Sequence, residues 1–161
     1  MMKIIPYSPE YSKEIISLIL SIQQVEFEIL VTSEDQPDLQ DIPKFYQHGN
    51  GNFWIALAEE KVVGTIGLLD IGNHQAALRK MFVKSAYRGS SHTVAKQLLD
   101  ELLRWSNIHG IRKIFLGTTA KFLAAHRFYE KNGFQEVERS ELPASFPMMD
   151  VDTKFYFRDT I

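Results

Sequence analysis

The chain has 161 residues, 45% of them hydrophobic and 12% aromatic, which suffices for one domain with a full core (1–161) and is too little for two. Its 18 basic and 20 acidic residues are interspersed to a net charge of -2, leaving no strong positive field for a nucleic-acid backbone. Cysteine is absent, which excludes disulfides, thiolate nucleophiles and cysteine-ligated zinc and fits a reducing, cytoplasmic setting.

At the N-terminus, Pro6, Pro9 and Glu10 break the apolar stretch that a signal peptide needs. No other apolar run approaches the ~20 residues that span a bilayer, so no membrane partner is expected. Ile4 and Ile5 suggest a short first strand. Ser8-Pro9-Glu10 then supplies a capping serine, a proline for the first turn and an early acid, and Ile15, Ile16, Leu18, Ile19 and Ile22 recur at helical spacing to about Gln24. From Val25 to Ile42 acidic residues are interrupted by Pro37, with Pro43 just beyond, which favours loop or short helix.

The turn signal Gly49-Asn50-Gly51-Asn52 opens a hairpin, Phe53–Ala58 and Val62–Leu69 around Glu59-Glu60-Lys61. A second turn at Gly72-Asn73-His74 leads to a third strand, Ala77–Val83, completing an antiparallel meander. Val94, Leu98, Leu99, Leu102, Leu103 and Trp105 define an amphipathic helix over Thr93–His109, stopped by Gly110. Lys113–Gly117 is the next strand, parallel to the third because a helix intervenes. A second amphipathic helix, about Lys121 to Asn132, ends at Gly133, and strands Phe134–Glu138 and Thr153–Phe157 close the chain. The fold class is therefore α/β (α+β), a mixed sheet of about six to seven strands flanked by helices.

The most informative segment is the strand Leu78–Val83, the turn Tyr87-Arg88-Gly89 and the helix start that follows. Free N–H groups and the positive end of the helix dipole make such a start a place for phosphates, to which Ser90, Ser91 and Thr93 add hydroxyl donors. The same residues also suit ordinary helix capping.

Together with Ala125-His126-Arg127-Phe128-Tyr129-Glu130-Lys131-Asn132-Gly133-Phe134, this block resembles the GNAT superfamily of N-acetyltransferases. The resemblance is strong over roughly Ala77–Val137 and rests on element order elsewhere. It implies a centrally splayed sheet, in which acetyl-CoA lies between the strands ending at Val83 and near Gly117. Backbone groups of Met81, Phe82 and Val83 would pair with its pantetheine arm, as a peptide joins a sheet edge. Arg88, Gly89, Ser90, Ser91, Thr93, Val94 and Ala95 would hold its pyrophosphate. It also implies that Tyr129 protonates the departing thiolate and that a backbone N–H near Val83 steadies the oxyanion.

Three positions depart from the family pattern. The phosphate loop is about two residues longer, with Thr93 and Ala95 where small residues stand, Phe122 replaces an asparagine, and Ala77 stands where many members carry a basic glutamate. The base is thus open among Asp70, His74 and water. The resemblance implies an acceptor that is a primary amine of a small molecule or peptide. Glu26 to Asp41 with Glu59 and Glu60 either line its site and favour a cationic amine, or form a solvated face. The loop Leu142–Asp152 supplies the other wall or a homodimer contact. No metal site is expected, since no two histidines stand at ligand spacing on either helix. The alternative to an enzyme is a non-catalytic acetyl-CoA-binding sensor or interaction module.

Overall fold

The computed structural model describes residues 2–89 and 93–160. Seven strands form one sheet in the order β1-β2-β3-β4-β5-β7-β6, with β1 Met2–Pro6, β2 Asn52–Ala58, β3 Lys61–Gly72, β4 Gln75–Val83, β5 Lys113–Thr118, β6 Gln135–Val137 and β7 Lys154–Asp159. β4 and β5 run parallel across the intervening helix, and every other pairing is antiparallel. The sequence calls for a mixed sheet of about six to seven strands, and seven form.

Alternation along β2 divides the interior in two. Trp54, Ala56 and Ala58 enter one core, and Phe53, Ile55 and Leu57 enter the other. The first core is closed by α4 (Val94–Ile108), whose Leu98, Leu99 and Leu102 are wholly buried; each contributes about 1.5–3 kcal/mol by burial. The second is closed by α1 (Ser12–Leu20) through Ile15 and Ile19, and by the short helices α2 (Pro37–Gln40) and α3 (Ile42–Phe45) through Leu39 and Ile42.

The first helical stretch is not uniform. It begins as a 3-10 turn over Pro9–Tyr11, and after α1 it widens into a π turn over Ser21–Glu26 that presents Ile22 and Gln23 towards the interior. The last helix, α5, spans Leu123–Lys131. Gly133 follows it with a positive φ, as its place in the sequence predicts.

Two irregularities in β4 set up everything that follows. Its pairing with β5 runs only from Gln75↔Lys113 to Ala77↔Phe115, after which the two strands part. Opposite β3, the register passes from Thr65↔Phe82 to Gly67↔Arg79, so Lys80 and Met81 together oppose Ile66. This is a β-bulge, and Lys80 adopts a left-handed φ of 53° within it. The Thr65 hydroxyl clamps the bulge by donating to the Lys80 carbonyl at 2.6 Å.

Candidate active site

The gap between β4 and β5 opens into a cleft of about 790 Å³, walled by β4, the π turn, the start of α4, α5 and the loop before β7. Met81, Phe82, Val83, Arg88, Gly89, Thr93, Val94 and Ala95 all line it, as does Tyr129. Ser90 and Ser91, expected in the phosphate cradle, lie outside the described residues, as does His92.

Five basic residues line the cleft: Arg88 and Lys96 on either side of the start of α4, Lys121 just before α5, and Arg127 and Lys131 on α5. Gly89 has φ +102° and Thr93 φ +54°. Thr93 thus holds a conformation natural to glycine at the position where the family resemblance expects a small residue. Its hydroxyl accepts from Gln97 at 2.8 Å instead of capping the helix. Arg88 is already engaged: Nε donates to the Val83 carbonyl at 2.7 Å, the guanidinium forms a two-pronged ion pair with Glu26, and its carbon lies 5.8 Å from the Phe27 ring centroid. The π turn is thereby fastened to the end of β4. Phe122, in place of the asparagine, packs edge-on to Phe27 and Phe82 with centroids at 4.8 and 6.1 Å, and the cleft has an aromatic wall there.

Tyr129 is buried among Phe128, Phe134 and Tyr156, and burial holds its hydroxyl above the ordinary tyrosine range. That hydroxyl has no hydrogen-bond partner among the described residues, although no fully buried side-chain polar atom there is unsatisfied. It therefore reaches the cleft. His126, one turn earlier, is buried and contacts the Thr119 carbonyl through Nε2 at 2.9 Å. Among the described residues no cluster of His, Cys, Asp and Glu could hold a metal ion, and no helix is long and apolar enough to cross a membrane.

Two alternatives left open by the sequence fall away from the cleft. Asp70 accepts from the backbone N–H of Asn50 and of Gly72, each at 2.9 Å, and so ties two turns together. His74 is exposed in the turn before β4. Neither lines the cleft, so neither is placed to act as its base. The acidic run is likewise not its wall. Glu60 pairs with Lys3 at the surface, Glu26 is spent on Arg88, and Glu34, Asp35 and Asp41 are exposed.

Asp38 is the buried exception, and it meets a residue that the sequence did not single out. Because of the bulge, Ala76, Leu78, Met81 and Val83 face the α4 core, leaving Arg79 and Lys80 side by side on the opposite face. The Lys80 ammonium lies 3.7 Å from Asp38 and donates to Gln36 at 2.6 Å. Asp38 accepts from the Tyr46 hydroxyl at 2.5 Å, and Gln36 exchanges two hydrogen bonds with Gln23. Burial, opposed in part by Asp38, lowers the Lys80 pKa to about 8.

The loop after β6 brings Phe146, Pro147, Met149, Val151 and Asp152 into the cleft. Asp152 is buried and accepts from the Met149 N–H at 3.1 Å. It lies against Gly117 of β5, where an added Cβ would stand 2.6 Å from its Oδ2. Burial raises its pKa above the usual carboxylate range, with Met149, Arg79, Lys80 and Arg139 opposing the shift.

A splayed parallel pair in a mixed sheet, beside a basic helix start, is the arrangement that the sequence resemblance implied. Residues 16–134 match the acetyltransferase (GNAT) family. The chain belongs to that family. The GNAT acetyltransferase from Staphylococcus aureus Mu50 superposes with a TM-score of 0.96 at 43% identity, covering all of both chains. N-acetylaspartate synthetase from Xenopus tropicalis is 39% identical over 104 residues, 62% of this chain but only 37% of that protein. The PaiA N-acetyltransferase from Thermoplasma acidophilum, solved with coenzyme A, shares the fold with a TM-score of 0.72 at 18% identity, covering 99% of each chain. This GNAT chain thus has the fold and family of an acyltransferase.

Proposed function

We propose that this chain transfers the acetyl group of acetyl-CoA to a primary amine of a small molecule or peptide, by direct attack on the thioester, with Tyr129 as general acid. The observation that carries this reading is the β4 edge freed from β5, which leads from the basic helix start to the Tyr129 hydroxyl. The residues present suit acetyl-CoA. An extended pantetheine arm matches a strand edge at Met81–Val83, and its phosphates match the lining with Arg88, Gly89, Thr93, Val94 and Ala95. The coenzyme A held by the Thermoplasma neighbour is in keeping with this cosubstrate. The frog relative is named for N-acetylaspartate, which agrees with acetylation of an amine.

In this reading the amine nitrogen attacks the thioester carbonyl carbon, the C–S bond breaks, and the thiolate takes the Tyr129 proton. A phenol raised by burial keeps its proton until a thiolate forms beside it, and hydrogen-bond contact then governs transfer. A calorimetric titration with acetyl-CoA, followed by thiol release with a mixed amine panel, tests the proposal. Binding and turnover are expected. Tyr129→Phe should leave the acetyl-CoA Kd unchanged and slow thiol release by about 100-fold. An unchanged rate would remove Tyr129 from the mechanism, and failure to bind acetyl-CoA would overturn the proposal itself.

A further inference from the structure

Charges along the cleft are unevenly matched. Lys80 is answered by Asp38 and Arg88 by Glu26, each within an ion pair. Arg79 is not. It is half-buried, its one side-chain hydrogen bond goes to the thioether sulfur of Met149 at 3.2 Å, and it has no ion-pair partner among the described residues. A thioether is a poor acceptor for a guanidinium, whose fork suits a carboxylate. Asp152 stands on the other side of the same residue, accepting from the Met149 backbone N–H, and it too has no ion-pair partner among the described residues. One cation and one anion, both withdrawn from bulk water, therefore face the cleft with Met149 between them.

We infer that the acceptor is an amino acid, its carboxylate held by Arg79 and its ammonium by Asp152, which takes the proton that frees the nitrogen for attack. This rests on the acetyl-transfer reading above. A zwitterion answers both charges at once, whereas a polyamine would set a second cation beside Arg79 and Lys80. The proton balance is complete. The ammonium gives one proton to Asp152, and the neutral nitrogen forms the C–N bond as the C–S bond breaks. The thiolate takes the Tyr129 proton, Tyr129 recovers one from the new amide nitrogen, and Asp152 releases its proton to solvent. The groups that set the basicity of Asp152 are Arg79 and Lys80 on β4, Arg139 before the loop and the Met149 amide, with Gly117 of β5 giving it room.

The experiment compares L-amino acids with the amines left when their α-carboxylate is removed, such as L-phenylalanine with phenethylamine and L-lysine with cadaverine, by thiol release from acetyl-CoA. Amino acids should have at least tenfold higher kcat/KM. Arg79→Gln should raise their KM at least tenfold, with little effect on the decarboxylated amines or on the acetyl-CoA Kd. Asp152→Asn should lower kcat by about 100-fold, and the deficit should narrow as the pH approaches that of the acceptor's own ammonium, which then deprotonates in solution. Turnover of polyamines in preference to amino acids would overturn this inference while leaving the acetyltransferase reading intact, as would acetyl-CoA binding with no amino acid acetylated. Loss of acetyl-CoA binding in the unsubstituted protein would instead overturn the acetyltransferase reading. Equal losses on both acceptor classes in Arg79→Gln would show a structural role and also overturn the inference.

Discussion

The two ends of the cleft are built on different principles. At the start of α4 the construction is mostly backbone: a strand edge, a helix terminus and a turn with positive φ at Gly89, dressed with basic side chains that reach solvent. At the other end it is side-chain chemistry, with Asp38, Tyr46, Lys80, Gln36 and Gln23 joined in one buried network from three separate stretches of chain. A site made of backbone tolerates changes in its side chains, since the groups that bind are common to every residue. A buried polar network does not, because Asp38 is the side-chain partner of both Tyr46 and Lys80, and Gln36 that of both Gln23 and Lys80, so that one change leaves several groups short.

Substitution should expose that difference in graded form. The largest effect is expected for Asp38→Ala, which strands the Lys80 ammonium and the Tyr46 hydroxyl in the interior. A loss of about 3–5 kcal/mol in chemical denaturation is expected, and a loss below about 1 kcal/mol would show that the network relaxes as freely as a surface. The next concerns pH. Lys80 titrates near 8 in the folded chain and near its ordinary value when unfolded, so between these values the unfolded state binds more protons. This group therefore makes stability rise with pH, by about 2 kcal/mol from pH 7 to pH 10, and the rise should vanish in Lys80→Met. Tyr46 and Tyr129, both raised by burial, act oppositely only above about pH 10. The smallest effect belongs to the other end. Thr93→Gly relieves a left-handed threonine and should gain about 1 kcal/mol at most, with acetyl-CoA affinity held or improved in titration. A large loss there would mean that the Thr93 side chain matters, and the contrast between the two ends would fail.

Legibility in the sequence follows the same division. Tyr87-Arg88-Gly89, the helix after it and the block Ala125–Phe134 are local patterns, and local patterns are what a linear reading can see. Arg79, Lys80 and Asp152 carry little local signal. Asp152 sits in a loop whose course is fixed only when Met149 reaches Arg79 and Gly117 leaves space for the carboxylate. Asp70 and His74 looked eligible as bases because they precede the central strand, but β4 starts at the opposite end of the sheet from its gap. One signal was present. The apolar alternation Ala76, Leu78 resumes at Met81 and Val83, one residue late, and that slip locates the bulge at Lys80.

That bulge makes β4 two half-strands out of phase with each other. Up to Leu78 even-numbered residues meet the α4 core, and from Met81 onward odd-numbered ones do. A chain shortened by one residue here would keep a regular ladder with β3. It would, however, lose the pair of adjacent cations on one face and the clamp from Thr65, so the most ideal version of this strand would be the one with no site beside it.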